Sequence, residues 1–277
     1  MRTVCQVCMH RCNLEEGQKG ICGARINQGG TIRCDNYGKV TALALDPIEK
    51  KPLNMFYPGS LILSVGSYGC NLRCPFCQNH EISMAGQDQG NRDYVRLSPE
   101  MLADKARTCK GLGSIGVAFT YNEPLVGWEY VRDTAKLVKE AGMVNVLVTN
   151  GTAFPEVLKE LLPYMDAMNI DLKGFTREYY RKLGGDLEMV REFIVQAAAL
   201  CHVELTTLIV PGENDSPEEM EQEARWIASV DKGIPLHVTR FFPRYHMMDR
   251  EATRTRQVYY LAEVAKGYLE HVFVGNC

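Results

Sequence analysis

The chain has 277 residues, 45% of them hydrophobic and 23% charged. That suffices for one large domain or two small ones with a sizeable buried core, and it excludes a disordered polymer. A formal net charge of −3 gives the chain as a whole no electrostatic footprint for nucleic acid or an anionic membrane surface, which leaves only a local basic patch open. No apolar run approaches the roughly 18 residues of a membrane span, and the opening MRTVCQVCMHRCNLEEG lacks the apolar stretch of a secretory signal, so a cytosolic, cytoplasmic protein is expected. The odd count of 11 cysteines rules out a fully paired disulfide framework and points to metal.

In chain order, residues 1–59 read as a small Cys-rich N-terminal module: five cysteines, many glycines and only short strand-like runs such as TIRCDNYGKVTALAL. Residues 60–277 form the second and main unit. SLILSV at 60–65 predicts a strand ending in the Gly-rich turn GSYGC. Ser98-Pro99-Glu100 combines a hydroxyl N-cap, a proline at the first helical position and an acid in the first turn, which starts a helix to about residue 111. SIGVAFT at 114–120 gives the next strand, and Trp128, Val131, Ala135 and Val138 recur at helical spacing. VNVLVT at 144–149, a short helix near 154–162 and AMNIDL at 167–172 follow. A longer helix then carries Leu187, Val190, Ile194, Ala197 and Cys201 on one face. After the strand VELTTLIV, Ser216-Pro217-Glu218-Glu219 repeats the helix-start signature. PLHVTRF at 235–241, a helix with Val258, Leu261, Ala265 and Tyr268, and HVFVG at 271–275 complete the series.

Six successive strand-then-helix units imply a parallel sheet with right-handed crossovers, open or barrel-like. Ligands then belong at the carboxyl ends of the strands. Chemistry-bearing residues do collect there: Cys70 to Cys77, Asn122-Glu123-Pro124, Thr149-Asn150-Gly151, Asp171-Leu172-Lys173, Pro211 to Asp215 and Arg240 to Tyr245. Loops are polar in any protein, but six such groups in register are harder to assign to that alone.

Cys70, Cys74 and Cys77 stand as C-x3-C-x2-C directly after a strand. Three thiolates on one tight loop suit three irons of a cubane and leave the fourth open. A haem attachment site needs C-x-x-C-H, and Gln78 follows Cys77. A thioredoxin-like dithiol at Cys74 and Cys77 leaves Cys70 unexplained, and a zinc site would need a fourth ligand such as His80. Cys5, Cys8, Cys12 and Cys22, spaced C-x2-C-x3-C-x9-C, could bind one zinc or an auxiliary iron–sulfur cluster. Structural zinc is the expectation, because so short and polar a segment has no core of its own. His10 or Cys34 could replace one ligand. Cys109 and Cys201 read as small buried hydrophobes.

A strand, then YGCNLRCPFCQN at 68–79, then a βα series of this length, resembles the radical S-adenosylmethionine superfamily. With LDPIEKKPL at 45–53, FYPGS at 56–60, TYNEP at 120–124, TNG at 149–151, DLK at 171–173, VPGEND at 210–215 and RFFPRY at 240–245, the chain is similar to the pyruvate formate-lyase activating-enzyme-like branch. Within that branch it resembles the radical enzymes of the AmmeMemoRadiSam system. The resemblance implies a partial (β/α)6 TIM-type barrel, a 4Fe–4S cluster on Cys70, Cys74 and Cys77, and S-adenosylmethionine chelating the open iron. It further implies reductive cleavage to a 5′-deoxyadenosyl radical that abstracts hydrogen, in an anaerobic setting with an electron donor such as flavodoxin or ferredoxin. The target would be a glycyl radical enzyme or, in the alternative, a small molecule or cofactor handled with MEMO-like and AMMECR-like proteins.

Glu123 occupies the place of the Gly-Gly-Glu element that holds the methionyl amino group in related enzymes, with Tyr121 and Asn122 where the glycines would be. Asp171 and Lys173 fall on the same side of a strand end and, by the resemblance, lie against the cofactor, with Asp171 and Lys173 also counted as catalytic. Asn150 and Thr149 offer an amide and a hydroxyl. His237 and Arg240, counted with Glu123, Asn122, Asn150, Asp171 and Lys173 as cofactor-binding, are three apart on one strand and point to opposite faces if the strand is regular; Arg240 would clamp a carboxylate. The competing class is a zinc or dithiol module without S-adenosylmethionine chemistry.

Overall fold

A computed structural model describes residues 1–84 and 93–277. The first strands are short: β1 (Thr3–Val4) pairs β2 (Asn13–Leu14), and β3 (Arg25–Gln28) pairs β4 (Thr31–Cys34), both antiparallel. β5 (Lys39–Val40) leads into β6 (Ala42–Pro47), which pairs antiparallel with β7 (Leu61–Gly66). A single turn of helix, α1 (His80–Ser83), and β8 (Val95–Arg96), which pairs with β5, precede the regular series. That series is α2 (Pro99–Lys110), β9 (Ser114–Phe119), α3 (Trp128–Glu140), β10 (Val144–Thr149), α4 (Pro155–Leu161) and β11 (Ala167–Asp171). It continues with α5 (Arg177–Lys182), α6 (Leu187–Ala198), β12 (His202–Ile209), α7 (Pro217–Asp231), β13 (Leu236–Arg240), α8 (Thr255–Lys266) and β14 (Val272–Gly275).

The main sheet has eight strands in the order β14-β13-β12-β11-β10-β9-β7-β6, parallel throughout except for β6 at its edge. This is the partial barrel of six strand–helix units that the periodicity and the resemblance predict. Ser98 and Ser216 cap α2 and α7 as expected, accepting from the N–H groups of Met101 at 3.3 Å and Glu219 at 3.2 Å. The helix over 187–198 stops before Cys201, which lies in the following turn packed beside the main core. Helix α5, capped by Thr176, is an addition to the elements read from the sequence. Among the described residues no helix is long and apolar enough to cross a membrane.

Alternation along each strand divides the core in two. Outward residues such as Leu63, Val117, Leu147, Ile170 and Leu205 pack under the helices, where α3 buries Val131, Ala135 and Val138. Inward residues Ile62, Ala118, Val146 and Ala167 form a separate cluster with Ile48 and Leu53. Because β6 runs down to the N-terminal end of β7, with Pro47 opposite Leu61, the segment 48–59 is left beneath the strands and closes the floor of the bore. Full burial of Ile48, Leu53, Ile62 and Val146 contributes about 1.5–3 kcal/mol each.

The floor is also pinned by polar bonds. Glu204, fully buried on β12, accepts from the N–H groups of Asn54 at 2.9 Å and Met55 at 2.8 Å. His202 and His237 donate to it at 3.0 Å and 2.6 Å. Asn169 donates to the Pro52 carbonyl at 2.8 Å.

Behind the sheet, Glu223 of α7 is buried against Thr207. The Thr207 hydroxyl donates to the Leu172 carbonyl at 2.9 Å, so Glu223 is best served by being the donor, protonated. Burial pushes its pKa up to about 8 from 4.5. The folded chain therefore holds a proton that the unfolded chain releases: the stabilisation is complete below the unfolded value and disappears as pH rises through the folded one. Relative to Glu223→Gln, the parent should lose about 1.4 kcal/mol per pH unit across that window. Denaturation midpoints measured from about pH 5 to pH 8 should thus separate steadily, and parallel curves would refute the assignment.

Candidate active site at the carboxyl ends of the strands

Gly66 ends β7, and the chain turns at once into the cysteine loop. Gly69 adopts φ +95°, and a Cβ there would stand 2.5 Å from the Cys22 carbonyl oxygen, so only glycine lets the loop seat on the N-terminal segment. Asn122 ties the start of the loop, accepting from Ser67 N–H at 2.9 Å and donating to the Tyr68 and Gly69 carbonyls at 3.2 and 3.1 Å. Its amide is thereby committed to shaping the turn. Cys74 is buried among Leu72, Phe76, Tyr179 and Phe241, with Cys70 and Cys77 at the edge of that cluster.

The Cys70 sulfur receives the Leu72 N–H at 3.4 Å and the Asn150 amide at 3.7 Å. Burial, followed by the charge of Glu123, pushes the Cys70 thiol well up, and burial takes Cys74 to about 12. As bare thiols these groups stay protonated. A metal reverses that balance, and N–H donors on sulfur favour the bound thiolate. Three soft donors on one loop in an apolar setting thus fit three irons of a cubane.

The neighbouring strand ends converge on the same loop. Glu123, buried after β9, accepts from Thr149 Oγ1 at 2.6 Å, Asn150 N–H at 2.8 Å and Leu125 N–H at 3.0 Å. Burial still pushes its pKa up to about 7 against those bonds. Asn150 donates to Asn71 Oδ1 at 3.0 Å as well as toward Cys70. Lys173 Nζ lies 2.6 Å from Asp171 Oδ2. Burial works against the ammonium, but Asp171 and then Cys74 hold its pKa above the ordinary lysine range.

The structure therefore brings together Cys70, Cys74, Cys77, Glu123, Thr149, Asn150, Asp171 and Lys173. It does not bring His237 or Arg240 to the same place. His237 faces into the bore, where it donates to Glu204 and stacks on Phe273. Arg240 donates to the Thr253 carbonyl at 2.7 Å with its guanidinium over Phe242. Sequence reasoning gave no role to Asn71, which donates to the Thr152 carbonyl at 2.7 Å and receives Asn150; an asparagine inside the cysteine motif was the available signal. It also assigned none to Asp46, which pairs with buried Lys51 at 2.8 Å and receives the Tyr121 hydroxyl at 2.6 Å. The N-terminal Cys5, Cys8, Cys12 and Cys22 are all free thiols. Among the described residues no three His, Cys, Asp or Glu side chains form a group that could hold a metal ion.

A family model described as the Radical SAM superfamily matches residues 64–227, the stretch that builds this mouth. An uncharacterized protein of Methanocaldococcus jannaschii is 37% identical, over 98% of this chain and 80% of its own length. A GTP 3′,8-cyclase of Moorella thermoacetica is 30% identical over 74% of this chain and 61% of its length. Pyruvate formate-lyase 1-activating enzyme of Escherichia coli is 27% identical over 61% of this chain and 71% of its own. Among solved structures, Streptococcus suis SuiB bound to S-adenosylmethionine shares the fold at a TM-score of 0.58 and 12% identity, over 76% of this chain and 48% of that one. With three thiols on the loop after β7 and a family match that runs through the strand ends beside it, the chain belongs to the radical SAM superfamily.

Proposed function

We propose that this chain cleaves S-adenosylmethionine reductively and uses the resulting radical to take a hydrogen atom from a substrate. One observation supports this above the rest: four adjacent strand ends deliver three thiols, a buried carboxylate and a lysine–carboxylate pair to one mouth. When bound, a 4Fe–4S cluster supplies one electron to the sulfonium, and the broken C–S bond yields methionine and a 5′-deoxyadenosyl radical.

The chain's own residues would hold and shield that chemistry. Cys70, Cys74 and Cys77 are the iron ligands. Glu123 has about four acceptor positions and uses three on Thr149, Asn150 and Leu125, which leaves one for the amino group of a methionyl moiety. Through the same bonds it aims the Asn150 amide at Cys70. Lys173 sets a positive charge beside Cys74 and Cys77, where it offsets cluster charge and can accept a carboxylate. The apolar floor of Ile48, Leu53 and Ile62 closes the bore from below, which keeps water from a radical.

The activating-enzyme relative supports a glycyl residue of a partner enzyme as the hydrogen donor, with flavodoxin or ferredoxin as reductant. A second reading, a small molecule or a cofactor processed with MEMO-like and AMMECR-like partners, draws on the cyclase relative and on the polar bore side chains Asn169 and Thr206, which bond to each other at 2.9 Å.

The test is anaerobic. The chain is reconstituted with iron and sulfide, reduced and given S-adenosylmethionine, and 5′-deoxyadenosine is quantified against methylthioadenosine and S-adenosylhomocysteine. 5′-Deoxyadenosine as the main product is expected, and methylthioadenosine in its place would mean that a different C–S bond breaks. Adding a glycyl radical enzyme then separates the two readings: its glycyl radical signal favours the first, and unchanged 5′-deoxyadenosine with no such signal favours the second.

A further inference from the structure

The loop after β13 is a mouth segment that the chemistry above leaves without work. Phe241 N–H donates to Thr253 Oγ1 at 3.3 Å, and Thr253 N–H returns to the Phe241 carbonyl at 3.1 Å. Residues 241–253 therefore leave the barrel and come back at one point, as an Ω-loop does. The tip of this loop is seated on the cysteine loop. Met247 N–H closes a turn on the Arg244 carbonyl at 2.9 Å, His246 N–H donates to the Pro75 carbonyl at 2.9 Å, and the Met247 side chain is buried with Cys74 and Phe76.

The rings of the tip form a series that runs from the surface to a cysteine of the motif. His246 is exposed, and its ring lies 3.7 Å from that of Tyr245 between centroids. Tyr245 stacks on His80 at 4.5 Å, and His80 Nδ1 is 3.2 Å from the Cys77 carbonyl oxygen. Tyr245 holds φ 53°, a left-handed backbone that bulky residues rarely adopt and that persists where the surroundings over-determine it. The His246–Pro75 bond and the two ring contacts are those surroundings.

The outer face of the loop is opposite in sign to the chain as a whole. Residues 240–256 hold five arginines against two acids, Asp249 and Glu251, in a chain of net charge −3. Arg240 is committed to the Thr253 carbonyl and the Phe242 ring, and Arg250 to the Pro211 carbonyl and Glu213. Arg244 and Arg254 are exposed, and so are Phe242 and Met248, at 44% and 67%. Phe242 and Arg254 flank the neck where Phe241 meets Thr253.

A basic and apolar surface backed by rings that end at the cysteine loop suits an electron carrier better than a hydrogen donor. A hydrogen atom is taken only where its donor is held against the radical, whereas an electron needs a short route to an iron ligand. Electron carriers bind transiently through small interfaces, and opposite charge steers them there.

We propose that the loop over residues 241–253, together with Arg254, is the docking surface for an acidic one-electron carrier of the flavodoxin class. This assignment rests on the radical reading above. The carrier's anionic flavin hydroquinone gives up one electron and becomes the neutral semiquinone. The electron passes to the cluster at Cys70, Cys74 and Cys77, and no bond or proton moves.

Oxidised flavodoxin is titrated into the intact chain by calorimetry, which needs no turnover. In parallel, 5′-deoxyadenosine formation is driven by reduced flavodoxin and by dithionite, a small reductant that requires no docking surface. The double variant Met248→Glu, Arg254→Glu is expected to bind flavodoxin roughly tenfold more weakly. It should form product more slowly with sub-saturating flavodoxin and at the parent's rate with dithionite. Added salt should weaken binding to the parent. Two charge reversals on α2, Lys105→Glu and Lys110→Glu, should change neither measurement. Binding unaltered in the Met248→Glu, Arg254→Glu variant would overturn the proposal, and so would an equal loss of product with both reductants. No product from the parent with dithionite would count against the radical reading instead, since the calorimetric comparison still decides the docking surface.

Discussion

Alanine at any one of Cys70, Cys74 or Cys77 is expected to reduce 5′-deoxyadenosine formation to the level of a control without protein, with the circular dichroism spectrum unchanged. Each thiol would anchor one iron, so no ligand of the cubane is spare. The nearest substitute is His80, but its Nδ1 lies 3.2 Å from the Cys77 carbonyl oxygen and its ring stacks on Tyr245. The fold should tolerate the change. Cys70 and Cys77 lie at the edge of their cluster and only Cys74 is buried, so trimming one sulfur costs about 1 kcal/mol. Product quantified by mass spectrometry, beside iron per chain, decides the matter; near-normal product from any single variant would refute a three-ligand cluster.

The largest expected loss of stability lies at the other end of the bore, at Glu204→Ala. Removing the carboxylate strands the Asn54 and Met55 N–H groups and leaves His237, 4% exposed, with no acceptor. Breaking a buried charged network in this way costs about 3–5 kcal/mol, read as a shift in the denaturant midpoint near neutral pH. Burial opposes ionisation of Glu204, but His202, His237 and the two N–H groups outweigh it and hold its pKa down to about 2 from 4.5. Its contribution is therefore present above the unfolded value and is lost as pH falls through the folded one, about 3 kcal/mol in all. Parent and Glu204→Gln should converge in stability as the solution is acidified, and a gap that stays constant down to about pH 2 would refute the ionised, pinned carboxylate.

The strand–helix alternation was legible because each element carries its own period and its own cap, as at Ser98 and Ser216. The cysteine loop was legible for a similar reason: its ligands lie within eight consecutive residues. Long-range partnerships left no such trace. Asn54 and Glu204 are 150 positions apart, and nothing near His237 in the chain announces that its partner is an acid on the adjacent strand. A histidine on a strand leading to the mouth was accordingly read as a ligand, although its register sets it level with Thr206, deeper in the bore. Asn122 is a subtler case: an amide beside a ligand loop can bind a cofactor or build the loop, and its bonds to Ser67, Tyr68 and Gly69, which no local pattern announces, direct it to the loop.

The antiparallel pairing of β6 with β7 bears on where the chain could be cut. A division after residue 59, natural from composition, would remove the edge strand and the segment beneath the bore together. Ile62, Ala118, Val146 and Ala167 would then be open to water, and the backbone of β7 would be left as an unpaired, apolar template for another strand. A fragment starting at residue 60 is thus expected to aggregate, whereas one starting near residue 41 keeps β6 and the floor but takes from the cysteine loop its seat on Cys22 and from the main core Cys5, Val7 and Val40.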